Sequence, residues 1–329
     1  MSVFTGTFTT HDTTLGAKGQ REDLQDAIFD ISPTETPFLS ALKRSKVKAT
    51  THEWQTDALA AAATDNQQVE GDDITSITAS SPTAKVGNYC QISRKLVAVS
   101  GTLETVDKAG RKSELAYQLA KRGKELKRDM ETMLLYPNTP YAGAADTARV
   151  MAGLPLWINT NESRGTNGDG SNHTSGVPTD TSFSDGTQRA FTETIFKAVL
   201  EDCWTNGSEA GVLMVGPHNK QVVSTSFTGI VTRNFDMSNT SPSPTAAIAA
   251  IDVYVSDWGV VKIIPNRFQR DRDAYILDFD YLGLGVLRPM QTIPLAKTGD
   301  AEKRMLLMEY TLIVKNEAAL GICADLSTS

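Results

Sequence analysis

Four histidines and three cysteines in 329 residues leave little material for metal or thiol chemistry. Cys90, Cys203 and Cys323 are far apart, odd in number and match no metal-ligand spacing, so they read as small core residues of a chain made in a reducing compartment. His11, His52, His173 and His218 form no HExxH pair. A GxSxG elbow and a GxxxxGK[ST] phosphate loop are both missing, and Gly283-Leu284-Gly285 is followed by Arg288 where a dinucleotide fold needs its third small residue. Long apolar runs are missing too. The tracts at 246–255 and 305–314 are broken by Asp252 and Glu309 and are too short to span a bilayer, and the N-terminus lacks the basic region and apolar run of a signal peptide. Basic excess is absent: the net charge is −7 and the pI near 5.2. Affinity for nucleic acid comes mainly from neutralising phosphates, so any DNA contact is expected to be passive and non-specific.

What is present begins with a polar stretch, 1–45, that holds a short helical pattern at Leu24, Ala27 and Ile28 and is interrupted by Pro33 and Pro37. It reads as an arm. Residues 46–100 contain two strand-like segments, THEWQTDAL and AKVGNYCQISRKLVAVS, joined by a long polar middle. Together they predict an extended hairpin arm. Such an arm has little core of its own, and fixing its backbone costs entropy that burial on a partner surface must offset.

The clearest helix is SELAYQLAKRGKELKRDMETMLLY, 113–136. Leu115, Leu119, Leu126, Met130, Met133 and Leu134 form one apolar stripe, Ser113 is placed to cap it and Pro137 to stop it. Its length is roughly 35 Å. The outer face carries Lys121, Arg122, Lys124, Lys127 and Arg128 beside Glu125, Asp129 and Glu131, which reads as a solvated face with intrahelical pairs rather than a nucleic-acid patch.

GLPLWINTN and a Gly/Asn/Ser/Thr-rich loop to about Gly186 follow. The run Asn167-Gly168-Asp169-Gly170-Ser171 lacks a calcium loop's turn glycine at Asn172 and its closing glutamate at Pro178. From Arg189 an α/β pattern takes over: a helix with Ile195, Phe196, Val199, Leu200 and Cys203 inward, a buried strand GVLMVG, a second helix opened by Pro217, a hairpin around Asp257-Trp258-Gly259 and the strand AYILDFD.

The stretch LAKTGDAEKRMLLMEYTL, 295–312, has two readings. Asp300, Lys303 and Arg304 resemble a catalytic corner with one carboxylate and two cations. They also suit a solvated turn that enters a strand at Arg304, with Leu306, Met308, Tyr310, Leu312 and Val314 on one face and Leu307, Glu309, Thr311 and Ile313 on the other. That strand would run roughly 36 Å, about as long as the helix. A long helix on a long strand is a beam, and separated arms imply neighbours.

The order of these elements, with ISPTETPF, HEWQTDAL, VGNYCQIS and LAKTGDAEKRMLLMEYTLIVKNEAALG, resembles the major capsid proteins of tailed bacteriophages, which have the Hong Kong 97 type fold. The resemblance implies an α+β structural protein without catalytic residues or cofactor. It implies an N-arm at 1–45, an E-loop at 46–100, a peripheral domain with spine helix at 101–186 and 296–329, and an axial domain at 187–295. The subunit would assemble in the bacterial cytoplasm as hexamers and pentamers of itself, into an icosahedral head around double-stranded DNA. Its partners would be a separate scaffolding protein, a portal protein and a decoration protein. A separate scaffold is inferred because Met1 lies almost directly at the arm. Assembly-contact candidates are Trp54, Asp57, Asp300, Lys303 and Arg304. Two alternatives stand beside this: an encapsulin-like cargo compartment, and an α/β enzyme whose lid is 46–100 and whose site lies near Thr298 to Arg304.

Overall fold

A computed structural model describes residues 32–67, 70–71, 82–170, 176–178, 183–227 and 252–328. The expected N-terminal helical pattern at Leu24, Ala27 and Ile28, His11, His173 and most of the hairpin tip lie outside the described residues.

The described chain opens with α1 (Pro37–Ala41), whose proline stands in its first turn where no backbone donor is needed, and β1 (Lys43–Lys46). Two paired strands follow, β2 (Thr51–Thr56) and β3 (Ala84–Tyr89), and then β4 (Gln91–Ser100), the short α2 (Gly101–Thr105) and the long α3 (Glu114–Leu135). Ser113 caps α3 by accepting the amide of Ala116, and Leu126, Met130 and Leu134 are fully buried, as the stripe predicts. After α4 (Leu154–Trp157) and β5 (Glu162–Ser163) come α5 (Glu193–Thr205), β6 (Val212–Val215), α6 (Pro217–Ser226), β7 (Val253–Ser256), β8 (Gly259–Pro265) and β9 (Ala274–Leu277). Two long strands, β10 (Leu282–Pro294) and β11 (Ala301–Val314), lead to a short 3-10 turn at Glu317–Ala319 and to β12 (Gly321–Cys323).

Three sheets result. One has the order β1-β10-β11-β4, antiparallel except for the parallel β1–β10 pair; the second runs β5-β12-β9-β6-β8-β7; the third is the β2–β3 pair. The inward face of β11 carries Leu306, Met308, Tyr310, Leu312 and Val314, which share one core with Leu126, Met130 and Leu134 of α3 and with Met214, Tyr275 and Leu277 of the six-stranded sheet. The helix thus lies on the four-stranded sheet, and its C-terminal end meets the six-stranded one where the Tyr275 hydroxyl donates to the Leu135 carbonyl. On the other side of the six-stranded sheet, Phe196, Val199, Leu200 and Cys203 of α5 pack with Leu213, Val215, Ile263 and Ile276. Fully burying each such side chain contributes about 1.5–3 kcal/mol. All three cysteines are buried with free thiols, Cys203 and Cys323 in the second core, and burial pushes Cys90 up to about 11 and Cys203 and Cys323 up to about 12.

Several boundaries drawn from sequence move. Residues 91–100 are not part of a projecting hairpin, because β4 pairs with β11 from Gln91↔Tyr310 to Ser100↔Ala301. The end of the expected arm at 1–45 is core: Phe38, Leu39 and Leu42 are buried, and β1 takes the free edge of β10. Strand β10, placed with the axial lobe by sequence order, belongs to the four-stranded sheet, while β12 returns the C-terminal segment to the six-stranded one. Strand β11 begins at Ala301 rather than Arg304, since β4 offers hydrogen-bonding partners that far. Gly283 and Gly285 sit inside β10, where a side chain on Gly285 would collide with Val47 and Thr311. Gly285 serves close strand packing, and neither glycine forms a nucleotide turn.

The largest departure concerns Glu131. Sequence put it on the charged outer face; it is fully buried, and its carboxylate accepts the amides of Phe38 (2.9 Å) and Leu39 (2.7 Å) and the side-chain amide of Asn266 (2.7 Å). These donors include the first-turn amides of α1, which a short helix otherwise leaves unsatisfied. Burial pushes this carboxyl above its usual range, and the three donors oppose that rise.

Candidate assembly surface

The corner at 295–300 joins β10 to β11, with Gly299 at φ 85°, a conformation glycine adopts without strain. Asp300 is exposed, and its carbonyl accepts the amide of Gly101 at 3.3 Å. The Lys303 ammonium donates to the Thr298 hydroxyl, and the Arg304 guanidinium donates to Glu302 at 2.6 Å. Both cations are therefore satisfied by neighbours within their own hairpin. No hydrogen bond or ion pair links the three to Trp54 or Asp57 among the described residues.

Trp54 and Asp57 belong to the paired arm. The Trp54 ring faces inward, 5.4 Å from the ring of buried Trp157 and 5.7 Å from His52, so it fastens the root of the arm to its own chain. Burial lowers the His52 pKa. Beyond β2 the support ends. Asp57 accepts the amide of Ala58 at 2.9 Å, residues 57–67 are exposed throughout, and Leu59 is 99% exposed. A leucine held wholly in water on an extended segment is an unmet apolar contact.

Two further surfaces share that character. The outer face of the four-stranded sheet sets Ile92 opposite Glu309, Arg94 opposite Leu307 and Leu96 opposite Met305, with Ile92 and Leu96 exposed at the free edge. At the outer edge of the six-stranded sheet, unpaired among the described residues, Val255 of β7 pairs with Val260 of β8, and both are exposed. Free strand edges with apolar side chains are templates for pairing with another chain.

Sequence reasoning missed the ionic fastening of this wall. Glu309 is 3% exposed and holds Arg149 (2.5 Å) and Arg288 (2.7 Å), while Arg149 also donates to the Cys90 carbonyl. The triplet pins the hairpin around Tyr141–Val150 to β10 and β11. Its only signal was a lone acid in an apolar strand.

Among the described residues nothing converges on a reacting centre. Separated apolar edges, an unsupported arm and a rigid helix–strand frame describe a building block, and the matching family is of that kind: the model of the SU10 major capsid protein family covers residues 4–327. The chain belongs to that family. It is 28% identical over 341 residues to the major capsid protein of Escherichia phage Phieco32, covering 92% of this chain and 94% of that protein. Among solved structures, the capsid of cyanophage A-1(L) has a TM-score of 0.63 at 12% identity, covering 94% of this chain and 98% of that one. The holo-SrpI encapsulin of Synechococcus elongatus PCC 7942 has a TM-score of 0.54 at 11% identity, covering 94% of both chains. The fold is therefore the Hong Kong 97 type, as the sequence resemblance implies, and the SU10 family assigns this subunit a structural role in the virion capsid, self-assembling into capsomers of an icosahedral shell. The family implies a structural, non-enzymatic role, which removes the basis for reading Thr298 to Arg304 as a lidded active site.

Proposed function

We propose that β2–β3 and the exposed residues 57–67 form the E-loop of this subunit and dock on a neighbouring copy. The carrying observation is Leu59, 99% exposed on a segment with no helix or strand of its own. Trp54 then secures the arm's root, while Asp57 and Leu59 supply outward contacts. Asp300, Lys303 and Arg304, at the far end of β10–β11, are proposed as rim contacts with a second neighbour, where exposed charges fix register more than they add affinity. Helix α3 acts as the spine and the six-stranded sheet with α5 and α6 as the axial domain. Residues 1–31 act as the N-arm. The remaining assignments follow the same reading: assembly in the host cytoplasm through hexamers and pentamers, with a scaffolding protein, a portal and a decoration protein as separate partners.

Expression of the chain with and without a scaffolding protein, followed by electron microscopy, tests this. Closed shells are expected with the scaffold; persistent monomers under both conditions would sink the proposal. The likeness to an encapsulin keeps a second reading in view, and nuclease-protected DNA inside particles from infected cells separates a genome container from a protein-cargo one.

A further inference from the structure

We propose that the groove along the middle of α3 is a phosphate-backbone contact surface, so that this side of the spine helix faces the packaged duplex DNA. The proposal rests on the capsid reading above. The groove has a volume of about 280 Å³ and is lined by Thr34 of the entering chain and by Tyr117, Lys121, Lys124, Glu125 and Arg128 of α3.

Sequence alone favours a neutral face here, with the cations tied up in pairs along the helix. The structure removes the acidic partners. Glu131 is turned into the core toward Phe38 and Leu39, Asp129 is held by Lys95 of β4 at 2.6 Å, and Glu125 is held by Arg122 at 2.6 Å. Lys121, Lys124, Lys127 and Arg128 are left without an ion pair among the described residues. Arg128 is positioned by stacking over Phe268, 5.2 Å from the ring centroid. In a chain of net charge −7, four unpaired cations on one helix form a local excess of the opposite sign.

Lys121, Lys124 and Arg128 fall at i, i+3 and i+7, so they share one face and span about 10 Å of axis. A duplex lying along them presents about six phosphates over that length. Three contacts per subunit give weak, salt-sensitive and sequence-independent attachment, which suits DNA that must be packed and later released. The competing occupant is an acidic segment of a second copy, which would make the same groove a subunit contact.

The test uses the full chain, wild type and Lys121→Gln/Lys124→Gln, in two measurements. Shell formation with the scaffolding protein is read by electron microscopy. Binding of purified subunits to a duplex DNA fragment is read between 50 and 200 mM salt. Three neutralised phosphates predict a log–log slope of about −2.7 for wild type, hence a loss of about 40-fold across that range. The variant should form shells and show a slope of about −0.9, losing about 3-fold. Equal slopes, or no wild-type binding, overturn the proposal. A folded variant that no longer forms shells overturns it in favour of a subunit contact. Wild-type chain that never forms shells defeats the capsid reading itself, and this proposal with it.

Discussion

Two buried acids carry opposite lessons at the scale of single residues. Glu131 is an acceptor for three donors from two other parts of the chain, Phe38 and Leu39 of α1 and Asn266 after β8. Glu131→Ala strands those donors in the core and should lower stability by roughly 2–4 kcal/mol. Glu131→Gln keeps an acceptor and should lose less; urea melts of the two variants against wild type read the order directly. Asp273 works against the fold at neutral pH. It is 2% exposed, 3.5 Å from the Arg270 guanidinium and accepts the Tyr275 hydroxyl at 3.2 Å, and burial still raises its pKa from 3.8 to about 6. Because the folded chain holds this proton more tightly, the contribution of Asp273 is fully present below pH 3.8 and is lost as pH rises through about 6. That loss is on the order of 3 kcal/mol. Asp273→Asn should flatten this part of the pH–stability curve; an unchanged wild-type slope between pH 4 and 6 in the variant contradicts the assignment.

Among elements, α3 and β11 were legible because their patterns are long and regular. Six apolar positions in one stripe identify the helix, and a long apolar run over β11, interrupted at Glu309 and Thr311, identifies a strand buried on both faces. The parts that misread are those whose partners lie far along the chain. Residues 91–100 alternate like an arm strand, and only pairing with β11 shows them to be a sheet edge. Glu131 carries no local mark of burial, because its donors arrive from positions 92, 93 and 135 residues away. Likewise Lys303 and Arg304 sit beside Asp300 in sequence as an acid–base set would, while their hydrogen bonds close on Thr298 and Glu302 instead. The helix stripe itself is testable. Leu126 is wholly buried in the shared core, so Leu126→Ala should cost about 2–5 kcal/mol in a denaturant melt. Leu126→Asp should abolish folding, since an unpaired charge there has no donor. Near-native stability in the aspartate variant would refute the placement of the core face.

For the whole molecule, stability and assembly draw on different residues. The core formed by α1, α3, α4 and both large sheets is closed within one chain, with Trp157, Tyr275 and Tyr310 all but inaccessible. Residues 57–67, by contrast, bury nothing, and Leu59 lies in water. Removing residues 58–66 should therefore leave the melting midpoint of the isolated subunit near wild type, because these residues are exposed throughout. The same deletion should sharply reduce shell yield, since each subunit in a closed lattice meets several neighbours and the loss of one contact type is repeated around every capsomer. Melting and shell yield are thus predicted to separate in this variant and to fall together in Leu126→Ala. Normal shells from the deleted chain would show that the arm is dispensable and shift the assembly contacts to the exposed sheet edges at Ile92, Leu96 and Val255.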